Sequence, residues 1–232
     1  MSDKNMLGES QEDFLQRVRG VLGREAEVNA DEVVAPEVDE RLMRLADAGE
    51  DLVARFIAGA TATGMKARVC DRDEFSEVLK GILSQCSAKK VVVSGDQACE
   101  QLEVRQCIAE VGAAVFEPTD EANFEGQYDA EVGVTGVVAG LAETGTLVIE
   151  SGTGQSRGVS LVPGVHVAVV RESDVLADMI DYLARYKGTR GESQPSSKVF
   201  ITGPSKTADI EGVLITGVHG PAVVEIVVVR GV

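Results

Sequence analysis

Two runs constrain this chain most, Val91-Val92-Val93-Ser94-Gly95 and Val223–Val229. β-Branched residues favour extended backbone, and strands this apolar need cover on both faces, as in a parallel sheet packed under helices. From Lys66 onward the pattern alternates. Ala67–Cys70 predicts a short strand, and Phe75, Val78, Leu79, Ile82 and Leu83 share one helix face. Leu102–Val111 predicts the next helix and Ala113–Phe116 another short strand. Strand–helix alternation implies right-handed crossovers and a mostly parallel sheet, with binding sites beyond the carboxyl ends of the strands. Gly95-Asp96-Gln97 is one such end.

The remaining elements follow from the same periods. Leu147–Ile149 predicts a core strand, Val165–Val170 a strand containing His166, and Val199–Thr202 a strand. Thr135–Leu141 is expected to form a short helix packed by Val137, Val138 and Leu141, and Asp174–Arg185 a longer one. Asp120–Asp129 predicts a surface loop or short helix. Tyr186–Lys198 is the most loop-like stretch. Near the start, Ser10 with Asp13 marks a helix N-terminus, and Phe14, Val18, Val21 and Leu22 recur at helical spacing. The polar segment Gly23–Glu37 separates that helix from a second stripe, Leu42, Leu45, Leu52, Val53, Phe56 and Ile57. The expected organisation is an arm and linker over residues 1–36 and an α/β domain over 37–232.

Charge and cysteine spacing narrow the function classes. A formal net charge of −16 repels phosphate at long range, so neither nucleic acid nor an anionic membrane surface is an expected partner. Cys70, Cys86, Cys99 and Cys107 are scattered without a CxxC pair, so no metal site, cluster or other cofactor is expected on this chain alone. No apolar run approaches the roughly 20 residues of a membrane span, and the polar, acidic N-terminus has no signal-peptide core. Cytoplasmic localisation is the expectation.

Four segments concentrate small, hydroxylic and charged residues: Ala142-Glu143-Thr144-Gly145-Thr146, Gln155-Ser156-Arg157, Gly203–Gly212 (GPSKTADIEG) and Gly217-Val218-His219-Gly220-Pro221. Glycines let backbone N–H groups approach a ligand, and hydroxyls and cations beside them favour an anion. Together the four segments resemble the LUD domain, the lactate-utilisation protein C family, over roughly Asp39–Gly231. The resemblance implies a three-layer α/β/α fold with a mostly parallel central sheet, similar to the ribose-5-phosphate isomerase and CoA-transferase superfamily. It also implies a cluster-free subunit that acts beside iron–sulfur lactate-utilisation proteins in oxidising L-lactate to pyruvate. Lys206 stands where many relatives of that family have arginine, which replaces a bidentate fork by a point charge.

The residues themselves leave alternatives open. Glu143 suits acid–base or nucleophilic work, as a superfamily glutamate does, and equally suits bracing its own turn. Arg157 suits a carboxylate clamp or a surface ion pair. Lys206 and Thr207 suit an anion at the start of a short helix, where Asp209 and Glu211 compete for the same positive end. His219 offers a general base, a partner for Glu143 or Asp209, or a histidine fixed by structure; His166 is expected to be packed. The expected site is one polar cleft formed by Glu143, Thr144, Gly145, Thr146, Gly154, Arg157, Ser205, Lys206 and Thr207, with His219 near its rim and a small carboxylate or phosphate inside. Three function classes follow: the accessory subunit, a stand-alone transferase or isomerase-like enzyme acting on acyl-CoA or a sugar phosphate, and an acidic regulatory or binding module without a ligand.

Overall fold

The computed structural model describes residues 10–23, 39, 43–46, 49–118, 126–152, 154–185, 195–210 and 213–232, with the side chains of 208–210 left aside. Expectations that fall on 24–37, 120–125 and 186–194 lie outside the described residues. The chain divides into two units, Met1–Met43 and Arg44–Val232. In the first, helix α1 (Gln11–Val21) begins where the sequence predicts. The Ser10 Oγ accepts from the Asp13 N–H at 3.1 Å, and Glu12, Asp13 and Arg19 complement the helix dipole.

The second unit is built on a six-stranded parallel sheet of order β1-β12-β7-β4-β2-β3. Its strands are β1 (Lys66–Asp71), β2 (Lys90–Val93), β3 (Ala114–Phe116), β4 (Val132–Gly136), β7 (Val165–Arg171) and β12 (Val223–Arg230). All five pairings are parallel. Alternate residues of the inner strands enter different cores: Val227 and Val229 of β12 join Val167 and Val169, while Val224, Ile226 and Val228 join Ala168 and Val170. Helices α3 (Phe75–Gln85), α4 (Gln97–Gln101) and α5 (Val104–Glu110) close the first core through Leu79, Ile82, Cys99 and Ile108. Helix α2 (Leu52–Ala62) closes the second through Val53, Phe56 and Ala60. Leu45, expected on the α2 stripe, is exposed and outside the helix.

The second face is shared with a smaller sheet of order β8-β5-β6-β9, from β5 (Ala139–Leu141), β6 (Thr146–Ser151), β8 (Val175–Leu176) and β9 (Ser197–Ile201). It corrects two expectations. Thr135–Leu141 is not a helix but the end of β4, a bend and β5; Gly140 sits against the Phe56 ring, where a Cβ would meet ring carbons at 3.1 Å. Asp174–Arg185 is helical only as α8 (Met179–Ala184), because Val175 and Leu176 pair with β5 and the Asp178 carboxylate caps the Asp181 N–H. The Leu102–Val111 helix is likewise shortened to α5, with Glu103 left-handed at φ 51°. Short helices α6 (Gly126–Asp129) and α7 (Gly158–Leu161) and a hairpin of β10 (Lys206–Ile210) and β11 (Val213–Thr216) complete the unit. Lys206 and Thr207 therefore open a strand, not a helix.

The central run hides one charge. Glu225 lies in the middle of β12, buried, and both its oxygens are held from edge strand β1, by Lys66 at 2.9 Å and Arg68 at 2.6 Å. A buried carboxylate is tolerable when paired this closely.

Candidate functional site

The order of the sheet places a crevice. The chain leaves β2 toward β3 on one side and leaves β4 toward β7 on the other, so the loops after β2 and β4 diverge. In open parallel sheets that divergence, at the carboxyl ends, is where ligands bind. Asp96, three residues beyond β2, spans the gap: its Oδ2 accepts from the Gly136 N–H at the end of β4 at 2.7 Å, and its Oδ1 from the Cys99 N–H at 2.9 Å. Gly136 is required for this, since a Cβ there would lie 2.2 Å from Asp96 Oδ1. Burial, reinforced by Asp96, pushes the Cys99 thiol well up, which leaves it an unreactive packing group.

A cavity of about 300 Å³ opens at this point, lined by Ser94, Asp96, Gly136, Glu150, Arg171 and Arg185 among others. Its carboxylates are already engaged. Asp96 holds two backbone amides, Asp174 is 2.6 Å from Arg171 Nε, and Glu150 accepts from the Tyr182 hydroxyl at 2.9 Å. Arg185 is different: its Nη1 reaches a backbone carbonyl, that of Val138, at 3.5 Å. The cavity thus offers a guanidinium with donors to spare beside fixed, occupied acids, an arrangement suited to a small carboxylate. Neither Arg171 nor Arg185 was singled out by sequence. The signal that existed was Arg171 directly after the apolar run of β7, the position where sheet sites gather.

The expected residues divide between two places. The Glu143–Thr146 turn packs against the end of α2: a Cβ on Gly145, at φ 67°, would lie 2.0 Å from the Ala60 nitrogen. Hydroxyls link Thr144 to Thr146 at 2.6 Å and Thr146 to Thr202 at 2.7 Å. The Lys206 Nζ donates to the Thr63 carbonyl at 3.0 Å, so this cation satisfies the carboxyl end of α2. Thr207 pairs with Ile215 in the β10–β11 hairpin, and Ser205 bonds through its backbone to Pro221 and Gly217. His219 is exposed in that same bend, and Glu143 is half-buried.

Gly154 and Arg157 lie at the other end of β6. Thr146 begins that strand and Ser151 ends it, a separation of roughly 17 Å at 3.3 Å per residue. The expectation of one shared cleft is corrected accordingly: Arg157 belongs with the loop after β6. There the Gly95 N–H donates to Gly154 O at 2.9 Å, which ties the loop to the end of β2. Gln155 lines the first cavity and a second, of about 380 Å³, with Ser151, Ser156, Arg157, Ser196 and Ser197.

His166 lies within the sheet, buried on β7 between β12 and β4. Its Nε2 is 2.9 Å from the Thr135 hydroxyl, its Nδ1 has no partner among the described residues, and burial pushes its pKa down to about 4. It is a neutral packed group at neutral pH. Among the described residues no cluster of His, Cys, Asp and Glu could hold a metal ion, and no helix is long and apolar enough to cross a membrane.

Comparison with known proteins bears on this geometry. The family profile described as the LUD domain matches residues 53–229. A Halalkalibacterium halodurans protein named Lactate utilization protein C is 34% identical over 64% of this chain and 66% of its own length. An Exiguobacterium protein of the same name is 31% identical over 95% of this chain and 96% of its own. The Escherichia coli protein YkgG, described as uncharacterized, is 31% identical over 90% and 93%. Among solved structures, a DUF162 family protein from Deinococcus radiodurans superposes with a TM-score of 0.59 over 79% of this chain and 99% of that one, at 20% identity. That likeness shows the fold.

Proposed function

The chain belongs to the LUD domain family, and on that premise we propose that it serves L-lactate utilisation as the cluster-free subunit of a complex. In this reading it holds a small organic acid, while iron–sulfur partner proteins accept the electrons that leave lactate as it becomes pyruvate. The names of its relatives supply the pathway. The observation that carries the site is Arg185, a guanidinium lining the crevice beyond β2 and β4 and bonded, among the described residues, to a backbone carbonyl alone.

The chemistry is positioning. Arg185 anchors the carboxylate, and the Ser94 and Gln97 side chains lie in reach of the same cavity to orient the hydroxyl or keto oxygen. The four cysteines support a role without a cluster: Cys70, Cys99 and Cys107 are packed in an apolar core, and Cys86 lies against it. Glu143 and His219, the acid–base candidates of the sequence, line neither of these cavities, and this reading gives the reaction to the crevice instead. Residues 1–36 form the docking arm of this reading; the end of α1 exposes Val21 and, just after it, Leu22, apolar side chains suited to a partner surface. Lactate oxidation by the reconstituted partners, with and without this chain, tests the proposal. Omission should abolish or strongly slow pyruvate formation, and an unchanged rate would remove the subunit role.

A further inference from the structure

The second cavity, beside Arg157, differs in chemistry from the first. Among the described residues its lining is Ser151, Gln155, Ser156, Arg157, Ser196 and Ser197, with no acid among them. In a chain with 38 acidic residues against 22 lysines and arginines, a cavity whose described lining holds a guanidinium and no acid is a selective feature. Arg157 makes no ion pair among the described residues, whereas Arg44, Arg55, Arg68, Arg105, Arg171 and Arg230 are each paired with a carboxylate.

The hydroxyls point the same way. Ser151 Oγ already accepts from Ser197 Oγ at 3.0 Å, and Ser156 Oγ accepts from the Gly158 N–H at 3.1 Å. Each of these oxygens therefore has its own hydrogen left to donate, with no acceptor among the described residues. The Gln155 amide and the Arg157 fork add further N–H groups. A carboxylate offers two oxygens to such a set. A phosphate offers three and a second charge, and meets no like charge in the lining.

We propose that the cavity formed by Ser151, Gln155, Ser156, Arg157, Ser196 and Ser197 is a subsite for the phosphate group of a phosphomonoester. Gln155 lines both cavities, so the body of that ligand extends from Arg157 toward the crevice. The volume of about 380 Å³ leaves room beyond the phosphate itself. This subsite stands independently of lactate utilisation.

Calorimetric titration of the full chain at fixed ionic strength, with inorganic phosphate in one arm and glycerol 3-phosphate in the other, tests it. Saturable one-to-one binding is expected in both arms, tighter for glycerol 3-phosphate. Binding of inorganic phosphate alone would mark a free-ion pocket and overturn the phosphomonoester assignment. Arg157→Ala should weaken binding roughly 10- to 100-fold, the loss of hydrogen bonds to a charged group, and Ser156→Ala by a smaller factor. Arg157 is exposed, so its replacement should leave the thermal midpoint in place. Arg185→Ala should leave the binding of inorganic phosphate intact, which separates this subsite from the carboxylate site. Absence of saturation in both arms, unchanged affinity in Arg157→Ala, or equal displacement by acetate would overturn the proposal. Phosphate binding without pyruvate binding would remove the organic-acid reading and leave the subsite standing.

Discussion

Strand β6 has two ends of similar composition and different fate. At its start, Glu143-Thr144-Gly145-Thr146 is pressed against α2, with Gly145 in a space where no Cβ fits and three threonine hydroxyls bonded in a chain. At its finish, Gly152 has nothing within 4 Å of a Cβ position, and serines, Gln155 and Arg157 face open volume. Glycine and hydroxyl side chains serve close packing at one end and solvent-accessible donors at the other. Residue type alone therefore does not distinguish a ligand loop from a helix-packing turn; the neighbour does.

The largest effect expected is at the packed end. Gly145→Ala forces a Cβ into the Ala60 backbone at a left-handed φ, which should cost about 3 kcal/mol or more in a denaturant titration. A cost below about 1 kcal/mol would mean that the turn yields and that its two ends differ less than the geometry implies.

The buried floor of the sheet gives an effect of similar size through pH. His166 titrates near 4 in the folded chain because of burial, against 6.5 for the free side chain, so the unfolded chain binds the proton more readily between those values. Stability is therefore complete above pH 6.5 and falls as pH drops toward 4, by about 3 kcal/mol from this group. Urea titrations across that window should show the slope, and His166→Gln should flatten it. An equal slope in the variant would assign the acid sensitivity to other groups.

At the open end the effect moves from stability to binding. Arg185→Ala should weaken pyruvate binding by about 1.5–3 kcal/mol while the thermal midpoint stays, since only a carbonyl contact at 3.5 Å is lost. Smallest of all, Gly152→Ala should change stability by no more than about 0.5 kcal/mol, as open space and an ordinary φ predict. A large loss there would erase the contrast with Gly145.

Much of this architecture was legible beforehand, for a physical reason. Buried strands such as Val91–Val93 and Val223–Val229 declare themselves through β-branched runs, and the order of strands and helices then leaves few topologies. Short strands of the smaller sheet were not legible: Val137, Val138 and Leu141 sit at helical spacing, and Val175–Leu176 run into a helix without a break in hydrophobicity. Their strand state depends on pairing with residues distant in sequence. The crevice was half legible. Gly95-Asp96-Gln97 followed a strand as sites do, but that Asp96 bridges to Gly136 is a contact 40 residues apart. The Lys206 misreading has the same origin, because the cation's partner, Thr63, lies 143 residues away.

Whether ligand chemistry lives in the crevice or at the packed turn is decided most directly by one paired measurement. Lactate-dependent pyruvate formation by the reconstituted partners would be compared with wild-type chain, Arg185→Ala and Glu143→Gln at saturating protein. With the crevice as the site, Arg185→Ala loses support of the reaction roughly tenfold or more at limiting substrate, and Glu143→Gln supports it as the wild type does. Full support by Arg185→Ala together with loss in a folded Glu143→Gln would contradict this and move the site to the turn.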